Sequence, residues 1–225
     1  MEARYRANYP GEFVILNTVW EGGKRTEQRE WIPNPIENQH ISGRAACIGS
    51  RDSLQSPYPH GIDYKILQRH RGGLLGTLKL QTYGTGMIAE DMRLDFTVEL
   101  DSAKLEQLID NKYFENNVVY TTARNCIDHP GDFYLIPNNP RLLLPALPIY
   151  LAAFDGHQEI FLIGYSKQME FDNSRWMDDV RAVFDAYTEV KFWLIGESTT
   201  MPDLWLDCPN IKTMNYQDFV SYADV

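Results

Sequence analysis

Short apolar runs that end at a glycine recur along this chain, and they constrain its fold more than any other feature. The clearest run is Glu159–Ile163, which Gly164 follows directly. Residues 45–48 and Lys191–Ile195 repeat the pattern, and each is also followed by a glycine. Apolar runs of four or five residues without polar alternation are typical of strands buried on both faces of a parallel sheet.

Segments with helical patterns lie between the predicted strands. Residues 102–113 place apolar side chains at helical spacing after Ser102, a plausible N-cap, and a helix from Asn139 to Phe154 has Pro140 at its first position. A third helix starts at 172 or 173. Four more strands are predicted over residues 78–82, 94–100, 118–122 and 133–136, and a last short strand over 211–214. Strands that alternate with helices predict an α/β fold with a doubly wound, mostly parallel, Rossmann-like sheet.

The N-terminal region departs from this alternation. Residues 12–20 are rich in β-branched and aromatic side chains, Gly22 and Gly23 form a turn, and residues 25–32 return as the antiparallel partner. We interpret residues 12–36 as a hairpin or flap appended to a single α/β domain that spans residues 1–225. No repeat or linker divides the chain.

The charge and composition limit the class of protein. The net charge of −10 argues against a large basic surface and so against tight non-specific binding to nucleic acid. Two small basic segments, residues 24–25 and 65–71, are either solvated loops or a local basic groove for DNA.

Three widely spaced cysteines predict reduced thiols. Because no apolar run approaches the roughly 18 residues that span a bilayer and residues 1–10 are not a signal peptide, we expect a cytoplasmic protein without a membrane partner.

Two loops after predicted strands are candidate nucleotide sites, because ligands of doubly wound sheets bind where strands end. The first loop carries Gly49, Ser50, Arg51 and Ser53, where glycine permits close approach and the polar side chains donate to phosphate. The second carries Thr82, Tyr83 and Gly84. The alternative for each loop is an ordinary turn, since neither has the glycine spacing of a dinucleotide or P-loop motif.

Three further positions suggest chemistry at the ends of elements. Asp101 follows a predicted strand and has three possible roles: a base that accepts a proton from an attacking hydroxyl, a contact to a ribose, or the cap of the next helix. Asn139 and Arg141 stand at a predicted helix N-terminus, which favours phosphate. His129, beside Asp128, is an acid/base candidate or a solvated loop residue. The histidines show no zinc-ligand spacing, and no motif of a hydrolase nucleophile is present.

The order of these features resembles the bacterial sialyltransferase-like superfamily, which includes a pterin diphosphokinase-like branch. The resemblance covers roughly residues 44–170 and rests on the loops at Gly49 and Gly84, the strand before Asp101 and the segment 156–165. It implies a nucleotide crevice, in which Tyr165 is a further contact. Residues 31–44 are similar to the opening segment of viral proteins of this type, which implies a phage-encoded enzyme that decorates modified DNA bases.

The chain departs from that family where the family's base would lie. The resemblance implies a histidine after the strand that ends at Gly164, but no histidine follows His157. Tyr165 and Ser166 replace the usual acidic residue. A catalytic role therefore falls to Asp101 or to His129.

The sequence and the resemblance together predict a glycosyltransferase that uses a nucleotide sugar as donor substrate. No resident cofactor is implied, and a divalent metal requirement stays open. Two alternatives are a diphosphokinase that acts on a small heterocycle and a nucleotide-binding regulatory or inhibitor protein without catalysis.

Overall fold

A computed structural model describes residues 11–33, 43–49, 80–89, 93–166, 169, 171 and 175–223. It contains ten described strands. Their bounds are β1 Gly11–Glu21, β2 Lys24–Pro33, β3 Arg44–Ile48, β4 Gln81–Thr85, β5 Phe96–Val98, β6 Val118–Thr121, β7 Tyr134–Leu135, β8 Glu159–Ile163, β9 Lys191–Ile195 and β10 Ile211–Met214. Strands β1 and β2 pair as an antiparallel hairpin, as the sequence predicts.

The described part of the chain also contains six α-helices. Their bounds are α1 Gly86–Ala89, α2 Ser102–Asp110, α3 Ala123–Asp128, α4 Leu147–Phe154, α5 Trp176–Ala186 and α6 Tyr216–Ala223. Short 3₁₀ turns cover Tyr113–Glu115, Leu144–Ala146, Ser198–Thr200 and Asp203–Trp205.

The strands after the hairpin form a parallel sheet in the order β10-β9-β8-β3-β4-β5-β6-β7. The chain starts this sheet at β3, proceeds outward on one side to β7, and then returns to the other side of β3 with β8. This is a doubly wound α/β fold, so the predicted fold class is confirmed.

The chain divides into two compact units. The larger unit comprises residues 37–98 and 141–225. Its strand β8 pairs with β3 on one side and β9 on the other, and Ile160, Phe161 and Leu162 are fully buried. The continuous apolar run thus forms a central strand, as predicted, and Gly164 ends it with a positive φ of 78°.

The smaller unit comprises residues 1–36 and 99–140. It contains the hairpin, helices α2 and α3, and strands β6 and β7, which pair in parallel. Its core is formed by Leu105, Leu108, Val119 and Phe133. That the whole chain is one domain stays a prediction.

Two sequence predictions about element bounds are wrong. Strand β4 covers residues 81–85, so the predicted loop at Thr82–Gly84 is strand. No helix begins at Asn139, because Asn138, Asn139 and Arg141 all have positive φ values, and regular α-helix begins only at Leu147. The sequence analysis did not predict helices α1, α3 and α6.

Candidate functional site

The order of strands in the larger unit reverses between β3 and β8. The connection after β3 leads to β4 on one side, and the connection after β8 leads to β9 on the other. Connections that diverge in this way leave a crevice outside the carboxyl ends of the two strands, where ligands of doubly wound sheets bind. Gly49 follows β3 at this point, and Tyr165 follows β8 one residue after Gly164.

The ring of Tyr165 packs directly against Gly49. A Cβ atom on Gly49 would lie 2.7 Å from the Tyr165 ring, so a larger residue does not fit without displacing it. The Tyr165 hydroxyl donates to the Pro145 carbonyl oxygen at 2.9 Å, and the side chain is fully buried. Burial raises the pKa of Tyr165 well above its ordinary value, and an electrostatic interaction with Cys47 adds to that shift. Gly49 thus accommodates a protein ring, and its contact with a ligand stays a prediction.

Thr82, Tyr83 and Gly84 lie inside strand β4 and are buried. The Thr82 hydroxyl donates to Asp95 Oδ2 at 2.9 Å and accepts from the Asp95 backbone N–H at 3.0 Å. A Cβ atom on Gly84 would lie 2.8 Å from Leu94 Cδ1. These three residues pack β4 into the larger unit, and their contact with a nucleotide stays a prediction.

A buried hydrogen-bond network in the larger unit joins Tyr83 to two residues that sequence reasoning missed, Asp155 and His157. The Tyr83 hydroxyl donates to Asp155 Oδ2 at 2.7 Å and lies 3.0 Å from His157 Nε2. Since the hydroxyl hydrogen is directed at Asp155, His157 Nε2 donates to the hydroxyl oxygen. Asp155 is fully buried, and His157 is nearly so. The only sequence signal was the Asp155-Gly156 helix end, which gives no hint of a partner on β4.

A shallow cavity of about 600 Å³ lies at the carboxyl ends of β9 and β10 in the larger unit. Polar side chains of Glu197, Ser198, Thr213 and Asp218 line it together with Trp193. Sequence reasoning did not single out any of these residues, because no motif marks them.

In the smaller unit, Asp101 caps helix α2. Its Oδ1 accepts from the backbone N–H groups of Ala103 at 2.8 Å and Lys104 at 3.1 Å, and the residue is exposed. The predicted cap at Ser102 is wrong, since Ser102 is the first helical residue and its hydroxyl donates to Asn125 Oδ1. The capping alternative for Asp101 is thus confirmed, while its catalytic role stays a prediction.

Glu99 lies two residues before Asp101 and is 1% exposed. Its Oε1 accepts from the backbone N–H groups of Leu100 at 2.9 Å and Asp101 at 3.0 Å. Its Oε2 is buried and has no hydrogen-bond partner among the described residues. The sequence shows Glu99 only as one polar residue at the end of a strand pattern, so it gave no reason to select it.

Three further predicted site residues lie on or near loops. His129 caps the C-terminus of α3, is partly buried, and packs its ring on Phe133 with centroids 5.7 Å apart. Asn139 and Arg141 are exposed. Because no helix begins at Asn139, the structural premise for a phosphate site there is wrong, and only the charge of Arg141 still favours phosphate.

Ser50, Arg51 and Ser53 lie outside the described residues, as does the basic segment 65–71.

Within the described residues, no group of three or more His, Cys, Asp or Glu side chains is arranged to hold a metal ion. No described helix has the length and apolar character that crossing a bilayer requires. All three cysteines are free thiols; burial raises the pKa of Cys126 to about 12 and that of Cys47 well above its ordinary value.

Comparison of the chain with models of protein families, with curated proteins and with solved structures finds no match.

Proposed function

We propose that this chain binds a nucleotide sugar at the carboxyl ends of its parallel strands and transfers the sugar to an acceptor. The observation that supports this proposal is the reversal of strand order between β3 and β8. Doubly wound sheets bind nucleotides outside the carboxyl ends of strands at such a reversal. Gly49 and Tyr165 mark this position in the larger unit.

The proposed phosphate contacts follow Gly49 in the chain. Ser50 and Arg51 supply a hydroxyl and a guanidinium, and charge-assisted hydrogen bonds from such groups suit a diphosphate. Arg141, which is exposed, is a further candidate cation for the same group.

Asp101 is the proposed base in the transfer step. An oxygen of the acceptor hydroxyl attacks the anomeric carbon while the bond from that carbon to the diphosphate breaks. The electron pair leaves with the nucleoside diphosphate, and the hydroxyl proton passes to the Asp101 carboxylate. A positioned base contributes roughly 10²–10⁴-fold to such a step, and donors at the leaving group supply a further part.

Incubation with a panel of nucleotides and nucleotide sugars, with and without Mg²⁺, tests this function by mass spectrometry. Acceptors include simple sugars and DNA that carries hydroxymethylated bases. Loss of sugar from the donor supports a transferase, whereas formation of AMP from ATP supports a diphosphokinase instead. If neither the sugars nor ATP is consumed, the transferase proposal is wrong.

The second candidate function is nucleotide binding without catalysis, as in a regulator or inhibitor. The capping geometry of Asp101 favours it, because two backbone N–H groups already account for one carboxylate oxygen. Binding of a nucleotide without turnover in the same panel would support this function.

A further inference from the structure

Glu99 belongs to the smaller unit, where its backbone pairs with strand β6. Its backbone N–H donates to the Tyr120 carbonyl oxygen of β6 at 3.1 Å. The residue therefore lies at the carboxyl ends of parallel strands, on the edge of the sheet where ligands bind in doubly wound folds. Its side chain is 1% exposed.

The two oxygens of the Glu99 carboxylate have different surroundings. Oε1 accepts hydrogen bonds from the next two backbone N–H groups, at Leu100 and Asp101. Oε2 is closed off from solvent and has no donor among the described residues. A buried polar atom without a partner is costly, and the large majority of such atoms in proteins are bonded.

The local fold accounts for only one of the two carboxylate oxygens of Glu99. Oε1 holds the turn that leads into α2, and a glutamine could place the same oxygen on the same two N–H groups. A neutral side chain would avoid the cost of a buried charge. Since the turn needs neither the charge nor the second oxygen, Oε2 requires a different explanation.

The neighbouring polar side chains do not supply that explanation, because they are directed at one another. Asn125 Nδ2 donates to the Leu100 carbonyl oxygen at 3.2 Å and to Thr121 Oγ1 at 2.8 Å. The Ser102 hydroxyl donates to Asn125 Oδ1 at 3.1 Å. This network holds the turn that follows Glu99 and supplies no donor to Oε2.

We infer that Oε2 of Glu99 binds a vicinal hydroxyl pair of the ligand, supplied by the ribose or by the transferred sugar. A carboxylate oxygen has two lone pairs and accepts two hydroxyl donors, whereas it repels a phosphate. Ribose and sugar are the parts of a nucleotide sugar that carry hydroxyl donors. The inference rests on the proposed function for the class of the ligand, and the contact that it assigns lies in the smaller unit.

Because Oε2 is closed off from solvent, a ligand can reach it only after residues next to Glu99 move. Binding that requires such a change is slower than the roughly 10⁵–10⁷ M⁻¹s⁻¹ that is typical of preformed sites. The same closure removes water from the contact, which strengthens a hydrogen bond to a charged group.

Calorimetry on Glu99→Gln and on the unchanged protein tests the inference. The probes are ADP, CDP, GDP and UDP, then the 2′,3′-dideoxy form of the tightest of them, and finally its glucose conjugate. If the ribose makes the contact, Glu99→Gln weakens the ribonucleotide roughly ten- to hundredfold and no longer distinguishes it from the dideoxy form. If the sugar makes the contact, only the glucose conjugate loses affinity.

Glu106→Gln is the matched control, because Glu106 is an exposed glutamate on α2 of the same unit. It should bind every probe as the unchanged protein does, and both variants should keep the melting temperature. The inference is wrong if Glu99→Gln binds all probes normally, or if it weakens all of them equally. It is also wrong if Glu99→Gln does not fold, because the charge would then be needed for the structure.

Failure of the proposed function gives a different result. If the unchanged protein binds none of the nucleotides, free ribose and glucose are tested at millimolar concentration. Binding of either sugar that Glu99→Gln abolishes would support the Glu99 contact and contradict the nucleotide function. No binding of nucleotides or sugars would overturn both.

Discussion

The buried carboxylates of the two units differ in how their charges are accommodated. In the larger unit, Asp95 accepts from the Thr82 hydroxyl and Asp155 accepts from the Tyr83 hydroxyl, so each is bonded to a side chain on β4. In the smaller unit, Glu99 is bonded through Oε1 to the backbone of its own turn, and its Oε2 has no described partner. All three residues are at most 4% exposed.

This difference separates two uses of a buried charge. A carboxylate that is bonded to a side chain far away in sequence links two elements, and the bond contributes to stability. A carboxylate that is bonded only to the backbone of its own turn does not connect distant elements. Its second oxygen can still accept a hydrogen bond from a ligand. We therefore infer that Asp95 and Asp155 stabilise the fold, whereas Glu99 binds a ligand.

The largest expected effect comes from a carboxylate placed without donors in the larger unit. Leu162 lies on the central strand β8 and is fully buried. Leu162→Asp removes its apolar contacts and buries an unpaired charge, which should cost on the order of 4–5 kcal/mol or more and unfold the protein. Circular dichroism and a thermal melt measure the loss.

Leu206→Asp is the control for this substitution, because Leu206 is 66% exposed. The same change of residue there should leave the melting temperature within about 2 °C of the unchanged protein. A soluble Leu162→Asp protein with an unchanged melting temperature would contradict the placement of β8. It would also show that the larger unit tolerates a buried carboxylate without hydrogen-bond donors.

The next effect concerns turnover and the role of Asp101. Asp101→Asn keeps the size of the side chain and an oxygen for the two capping bonds, so stability should change little. It removes the basic carboxylate, and we expect turnover to fall roughly 10²–10⁴-fold while nucleotide affinity stays. The transfer assay and a thermal melt of one preparation measure both. Near-normal turnover in a folded Asp101→Asn protein would leave Asp101 as a cap only.

Local sequence patterns predicted the sheet well. The apolar run that ends at Gly164 needs neighbours on both sides, because at an edge it would expose its side chains, and it pairs with β3 and β9. The turn at Gly22 and Gly23 likewise specified the hairpin. In both cases the determining residues are adjacent in sequence.

The site was harder to predict because it depends on contacts between distant residues. Tyr83 bonds with Asp155, 72 positions away, and no local pattern connects them. A glycine after a strand suits a ligand or a protein ring equally, and at Gly49 the ring of Tyr165 occupies that space. The predicted helix at Asn139 had a good cap and a proline, yet backbone with positive φ values follows.

A moderate effect on stability should separate Tyr83 from Glu99. Tyr83→Phe keeps the ring stacked on Phe96, with centroids 4.5 Å apart, but removes the donor to the buried Asp155 carboxylate. We expect a loss of about 1.5–3 kcal/mol, or roughly 3–12 °C in melting temperature, whereas Glu99→Gln should lose little. Equal losses of stability in the two variants would show that Asp155 and Glu99 do not differ in their contribution to the fold.

The smallest expected effect concerns a partly exposed carboxylate of the larger unit, Glu159. Its Oε2 accepts from Arg44 Nε at 3.0 Å, and its Oε1 accepts from the Tyr222 hydroxyl of α6 at 2.7 Å. Because Tyr222 is 43% exposed, Tyr222→Phe should cost less than about 1 kcal/mol near neutral pH. Urea unfolding of the unchanged protein and the variant gives this difference.

The pH dependence of that difference identifies the Tyr222–Glu159 bond as its source. The hydrogen bond to Glu159 raises the pKa of Tyr222 above its ordinary value of 10.0; burial and the Glu159 charge add to the shift, and Arg44 opposes it. The protonated hydroxyl therefore stabilises the folded state fully below pH 10.0, and this contribution is lost as the pH rises through the raised pKa. We expect the unchanged protein to exceed Tyr222→Phe in stability near neutral pH and to lose that advantage in strongly alkaline solution. A difference that is the same at both pH values would show that the lost contact is not this bond, and that Glu159 is held by Arg44 alone.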